Sequence, residues 1–187
     1  MKIDENSGLL DEADYIASPN CDDRPPGEVI DLLVVHNISL PPNEFGGPYI
    51  NQLFTNKLNA KEHPFFEEIN HLRVSAHLLI RRDGRIIQFV PFHKRAWHAG
   101  VSNFCGREQC NNFSIGIEME GADHIPYEDI QYKKLSAVTK EIILCFPNIS
   151  LSNIQGHCDI APERKTDPGE AFDWVYFKKL LSDHNMS

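Results

Sequence analysis

The sequence predicts a single α/β domain, and three observations predict it. The length of 187 residues suits one core. Short apolar runs rich in β-branched residues, each bounded by Pro, Gly or Asp, read as strands. Two segments nearer the C-terminal end carry apolar residues at helical spacing. Hydrophobic residues make up 41% and charged residues 24%, a balance that supports a buried core. No repeat, low-complexity tract or internal linker divides the chain.

The elements follow in order. Residues 1–30 are polar and contain Pro19, Pro25 and Pro26, so they read as an irregular N-terminal arm. Residues 30–37 form a buried strand with His36 at its C-terminal end, where open α/β sheets place binding groups. Pro41, Pro42, Gly46, Gly47 and Pro48 make the next stretch a turn-rich loop, and residues 49–54 a short helix. Residues 56–72 read as a lid or groove wall. Residues 74–90 give a hairpin around Asp83-Gly84, with His77 a hydrogen-bonded structural histidine. In residues 113–121 alternation puts Ser114, Gly116, Glu118 and Glu120 on one face and Ile115, Ile117 and Met119 on the other. Residues 128–146 form the longest helix, striped by Leu135, Val138 and Ile142 and stopped by Pro147. Asp173 caps a last helix carrying Trp174, Phe177, Leu180 and Leu181.

Charge and composition exclude some functions. A net charge of -9 argues against nucleic acid as a partner. No apolar stretch approaches the roughly 20 residues that cross a bilayer. The start of the chain is acidic and lacks an apolar run, so an unexported, cytoplasmic protein is expected. The five cysteines are odd in number and contain no C-x-x-C pair, which suits reduced thiols; a Cys105–Cys110 pairing is the alternative.

The chemistry concentrates between Gly156 and Gly169, where Pro162, Pro168 and Gly169 block a long helix. His36, His157 and Asp167 could together form a two-histidine, one-carboxylate zinc site with an open position. Lys165 offers a cation for a developing oxyanion, and Glu118 a carboxylate with a tunable pKa. Trp97 offers a flat face for a sugar. Taken singly, each has a plain alternative: a strand-capping histidine, a solvated charged loop, an exposed strand glutamate, a core tryptophan. Cys158 as a nucleophile is disfavoured, because His157 directly precedes it and the two cannot easily face one cavity. No glycine-rich phosphate loop is present.

Five separated stretches resemble the zinc N-acetylmuramoyl-L-alanine amidases. They are residues 33–37, 75–84, 95–100, 113–118 and 156–169, and the resemblance runs from about Leu10 to the last helix. It is closest to the cytoplasmic type that acts on 1,6-anhydro-muropeptides in cell-wall recycling. The resemblance implies a mixed central sheet flanked by helices, with the zinc site in a surface groove. It implies His36, His157 and Asp167 as zinc ligands, Glu118 as the group that activates water, and Lys165 as the oxyanion cation. Asn37, Arg73, Ala96, Trp97 and Arg164 are then expected to line the substrate groove. The expected partner is an anhydro-muropeptide, and the expected state a monomer. Two departures stand out. Ala76 replaces a tyrosine common in the wider superfamily, and Gln109 replaces a second arginine, with Arg107 nearby. A non-catalytic muropeptide-binding module and a secreted wall amidase are the competing readings.

Overall fold

The stretch Ser114–Glu120 is buried along its whole length, on both faces. Such a strand needs neighbours on each side and cover above and below. The computed structural model, which describes residues 1–183, shows how these are supplied. Six strands form the sheet: β1 (Asp14–Tyr15), β2 (Leu32–Ile38), β3 (Leu78–Ile80), β4 (Ile86–Gln88), β5 (Ser114–Glu120) and β6 (Ile154–Gly156). Their spatial order is β6-β2-β5-β3-β4-β1. The first four in that order run parallel, and β3 and β4 are antiparallel, so the sheet is mixed, as the sequence resemblance implies. The β3–β4 hairpin turns through Gly84, whose φ of +83° suits glycine.

Alternation on β2 and β5 sorts the side chains. Leu33, Val35, Ile115, Ile117 and Met119 join Leu135, Val138 and Ile142 of helix α3 (Asp129–Cys145) and Phe177 and Leu181 of helix α5 (Trp174–Ser182) in one apolar cluster. Each fully buried aliphatic or aromatic side chain there contributes about 1.5–3 kcal/mol. Gln131 on α3 is fully buried, and its Nε2 donates to the carbonyls of Ile80 (3.2 Å) and Glu120 (3.1 Å), which fixes the helix on the ends of β3 and β5. Asp173 caps α5 by accepting from the Tyr176 N–H at 2.8 Å. On the opposite side of the sheet, short helices α1 (Tyr49–Phe54) and α2 (Pro64–Ile69) pack Ile50, Leu53, Phe54 and Phe66 against Leu79, Ile87 and Phe89.

The N-terminal arm is more regular than the sequence suggests. Ile3–Asp4 pairs with Leu9–Leu10, β1 adds to β4 at the sheet edge, and Cys21–Asp22 pairs with Arg95–Ala96. Two-residue ladders leave no period to read, which is why composition pointed to an irregular segment. Arg24 at the end of the arm is sunk into the domain. Its guanidinium donates to the carbonyls of Asn111, Asn112, Phe92 and Ser114 at 2.9–3.1 Å. All five cysteines are free thiols. Among the described residues, no helix is long and apolar enough to cross a membrane.

Candidate active site

Parallel strands end together, and here their C-terminal ends carry the chemistry. The register sets His36 on β2 directly beside Glu118 on β5, and Gly156 at the end of β6 beside Val35. His157 therefore emerges next to His36. It opens α4 (His157–Ile160), a single turn that ends before Pro162, so the prolines that block a long helix still permit this short one. Asp167 comes back to the same point because the Cys158 N–H donates to its carbonyl at 2.9 Å.

His36 Nδ1, His157 Nδ1 and Asp167 Oδ2 form a triangle with 3.0 Å sides. These are three of the sequence-predicted residues, and the fold brings them together as a possible metal-ion cluster. The donor set fits zinc. Bonds of about 2.0–2.2 Å to a tetrahedral ion separate its ligand atoms by about 3.3 Å. The two ring nitrogens lie 3.0 Å apart, close enough for one cation to bind both. His157 Nε2 donates to the carbonyl of Ala99 at 3.1 Å, which leaves its Nδ1 bare.

The electrostatics suit those roles. Burial pushes His36 down to about 4, against the pull of the Asp167 hydrogen bond, so the ring is neutral at pH 7. Burial acts upward on Asp167, but the adjacent His157 and His36 rings outweigh it and hold the carboxyl far below its usual range. Neutral imidazoles and an ionised carboxylate are the forms that bind zinc. Glu118 moves the other way. Burial raises its pKa well above the usual carboxylate value, the Asp167 charge adds to this, and Lys165 opposes it. Its buried Oε2 has no hydrogen-bond partner. A carboxylate in that state has a strong tendency to take up a proton.

A groove of about 350 Å³ opens over these groups. Glu118 and Lys165 line it beside the triangle, and Leu53, Phe54, Phe65, Leu72 and Trp97 give it an apolar wall. Residues 56–72 supply Phe65, Ile69 and Leu72 of that wall. Trp97 is anchored by its indole N–H, which donates to Asp22 Oδ1 at 3.2 Å. Asn37 also lines the groove, with its Nδ2 engaged by Asp123 Oδ1 (2.7 Å) and the Pro168 carbonyl (3.0 Å). Arg164 does not line this groove; it borders a neighbouring cleft with Lys165 and Asp167, and it donates to the carbonyls of Ala99 and Val101 at 2.7 Å each.

Two more expected groove residues fall elsewhere. Ala96 is fully buried in the apolar cluster beneath α1, since its strand pairs with the arm, and it has no surface to offer a ligand. Arg73 is exposed, but its guanidinium turns back onto the carbonyls of Asn70, His71 and Leu72 at 3.2–3.3 Å. Arg107, the possible substitute for the arginine missing at Gln109, is engaged by Asp31 and Glu28 and stacks over Phe113. His77 is structural as expected: it is fully buried, and its Nδ1 accepts from the Gly116 N–H at 3.0 Å. One site residue escaped the sequence reading. His98 touches His36, with Nδ1 2.9 Å from His36 Nε2. Its position right after Trp97 was the only available signal.

A groove of this kind, with a two-histidine, one-carboxylate cluster beside a proton-hungry glutamate, defines a candidate metal-dependent hydrolase. The family described as N-acetylmuramoyl-L-alanine amidase matches residues 26–170, and the chain belongs to that family. It is 62% identical over 175 residues to the 1,6-anhydro-N-acetylmuramyl-L-alanine amidase AmpD of Escherichia coli K12, covering 94% of this chain and 95% of that one. Among solved structures, the crystal structure of a selenomethionine AmpD derivative superposes with a TM-score of 0.94 at 59% identity, covering 97% of this chain and all of that one. A more distant match is the amidase AmiD from E. coli in complex with the substrate anhydro-N-acetylmuramic acid-L-Ala-D-γ-Glu-L-Lys. Its TM-score is 0.58 at 28% identity, with 84% of this chain and 60% of that one covered.

Proposed function

We propose that this amidase uses one zinc ion to hydrolyse the amide between the lactyl group of 1,6-anhydro-N-acetylmuramic acid and L-alanine, as a cytoplasmic monomer in cell-wall recycling. The observation that carries the reading is Glu118, a buried carboxylate with an unpartnered oxygen, set beside His36 by strand register. The names of the AmpD relatives and the ligand of the AmiD complex support the substrate. Five free cysteines, one of them the exposed Cys105, suit a reducing compartment.

His36, His157 and Asp167 would hold the ion. Zinc in such a site supplies Lewis acidity and lowers the pKa of a water from 15.7 toward about 7. Glu118 accepts the proton of the attacking water and returns it to the nitrogen of the departing alanine. Its raised pKa favours the uptake. Lys165 faces the carbonyl oxygen as negative charge develops there. Trp97 and the apolar wall receive the anhydro sugar, which has lost its anomeric hydroxyl and is correspondingly less polar. Arg164 pairs with a carboxylate of the stem peptide. Asn37 holds the Asp123 and Pro168 side of the groove in place.

The test is mass spectrometry of anhydro-muropeptide incubated with protein, with and without chelator. The expected products are the anhydro sugar and the free stem peptide, lost on chelation and restored by zinc. Turnover of soluble anhydro-muropeptide should far exceed that of insoluble wall. Tight binding without cleavage by zinc-loaded protein would instead support a recognition module.

A further inference from the structure

A hydrogen-bond chain leads away from the proposed metal site through side chains that the reaction does not use. His36 Nε2 lies 2.9 Å from His98 Nδ1. His98 Nε2 lies 3.1 Å from Ser114 Oγ. Ser114 Oγ lies 2.6 Å from the carbonyl oxygen of Cys110. Chemistry fixes the direction only at the far end, because a carbonyl oxygen can only accept. Ser114 has one hydroxyl proton, which goes to Cys110, so Oγ accepts from His98 Nε2–H. In a neutral His98 ring, Nδ1 is then bare and accepts from His36 Nε2–H. That leaves the lone pair of His36 on Nδ1, the atom 3.0 Å from both His157 Nδ1 and Asp167 Oδ2.

We infer that His98 and Ser114 are positioning residues that fix His36 as its Nε2–H tautomer, so that Nδ1 presents its lone pair to a divalent cation. This rests on the zinc reading above. The hydrogen bond at one ring nitrogen decides what the other can ligate, and such outer partners commonly tune metal sites. The next residue in the chain serves the second ligand, since the Ala99 carbonyl takes the Nε2–H of His157 at 3.1 Å. One short loop thus orients both imidazoles. Asn111 holds that loop, its Oδ1 accepting from the N–H groups of His98 (3.0 Å) and Ala99 (2.8 Å). Gly116 makes room for it: a Cβ there would lie 2.4 Å from the His98 ring.

Long-range 1H–15N spectra of histidine-labelled, metal-free protein read each tautomer directly. The wild type should show Nε2–H at both His36 and His98, with peaks assigned through a His98→Asn variant. An Nδ1–H signal from either ring overturns the inference, and this result needs no variant to fold. Ser114→Ala should mix the tautomers of His36 and weaken zinc binding about 10–100-fold in a chelator competition. Gly116→Ala, which displaces His98, should do the same. Wild-type zinc affinity in a folded Ser114→Ala protein also overturns it. Correct tautomers in a zinc-loaded protein that cleaves no muropeptide would count against the proposed reaction and leave this orienting role standing.

Discussion

Strands β2 and β5 have one face sealed against α3 and α5, carrying Leu33, Val35, Ile115, Ile117 and Met119. Their other face carries His36, Ser114, Gly116 and Glu118, and it opens at the strand ends onto the groove. The first face gains stability from apolar burial alone. The second buries imidazoles and a carboxylate whose charged forms burial opposes. Neighbours such as Ile117 and Glu118 therefore have opposite effects on the fold. A strand lets stability and reactivity lie one residue apart with no mixing of the two environments.

Four variants separate the two faces. His157→Ala should have the largest effect, loss of zinc and of turnover together, with the helix-covered face intact. Elemental analysis checks it, and near-stoichiometric zinc in the variant would mean that His157 is not a ligand. Glu118→Gln should keep its zinc and lose about 10²–10⁴-fold in kcat. The same variant should melt higher than wild type in the metal-free protein near pH 8. The sign follows from the raised folded-state pKa of Glu118. Above that pKa, folding buries a charge and stability is reduced; the penalty fades as pH falls and is gone below the unfolded value of about 4.5. The stabilisation should therefore disappear toward pH 4, and a gain that persists there would point to packing as its cause.

On the sealed face, Ile117→Ala should do the reverse. Removing a fully buried isoleucine costs about 2–5 kcal/mol, read by denaturant unfolding, while kcat per bound zinc stays near wild type. A large fall in kcat there would show that the faces are coupled. Leu144 sits on the solvent side of α3 and is 75% exposed. Leu144→Ser should change stability by no more than about 0.5 kcal/mol and leave activity alone.

What the sequence revealed follows the same division. Regular elements with a period were legible: the alternation of β5, the β3–β4 hairpin, the stripe of α3 and the Asp173 cap all stand where the pattern puts them. The metal-type triangle was legible only as a set of residue types, since register and not spacing brings His36 and His157 together across 121 positions. His98 was passed over because its partner His36 is 62 residues away. Ala96 and Arg73 were misplaced for a related reason. A motif names positions, but burial under the arm and the turn-back of a long side chain are decided by tertiary packing.

Arg24 carries a further consequence. The family model begins at residue 26, two positions after this arginine. It nonetheless satisfies four backbone carbonyls, one of them on Ser114, whose hydroxyl is a link in the tautomer chain. The limits of the family model are thus narrower here than the limits of the folded domain. A protein trimmed to residues 26–170 would leave those four acceptors without their donor and strip an edge strand from the sheet. Anyone grafting this catalytic scaffold onto another protein should carry the arm along with it.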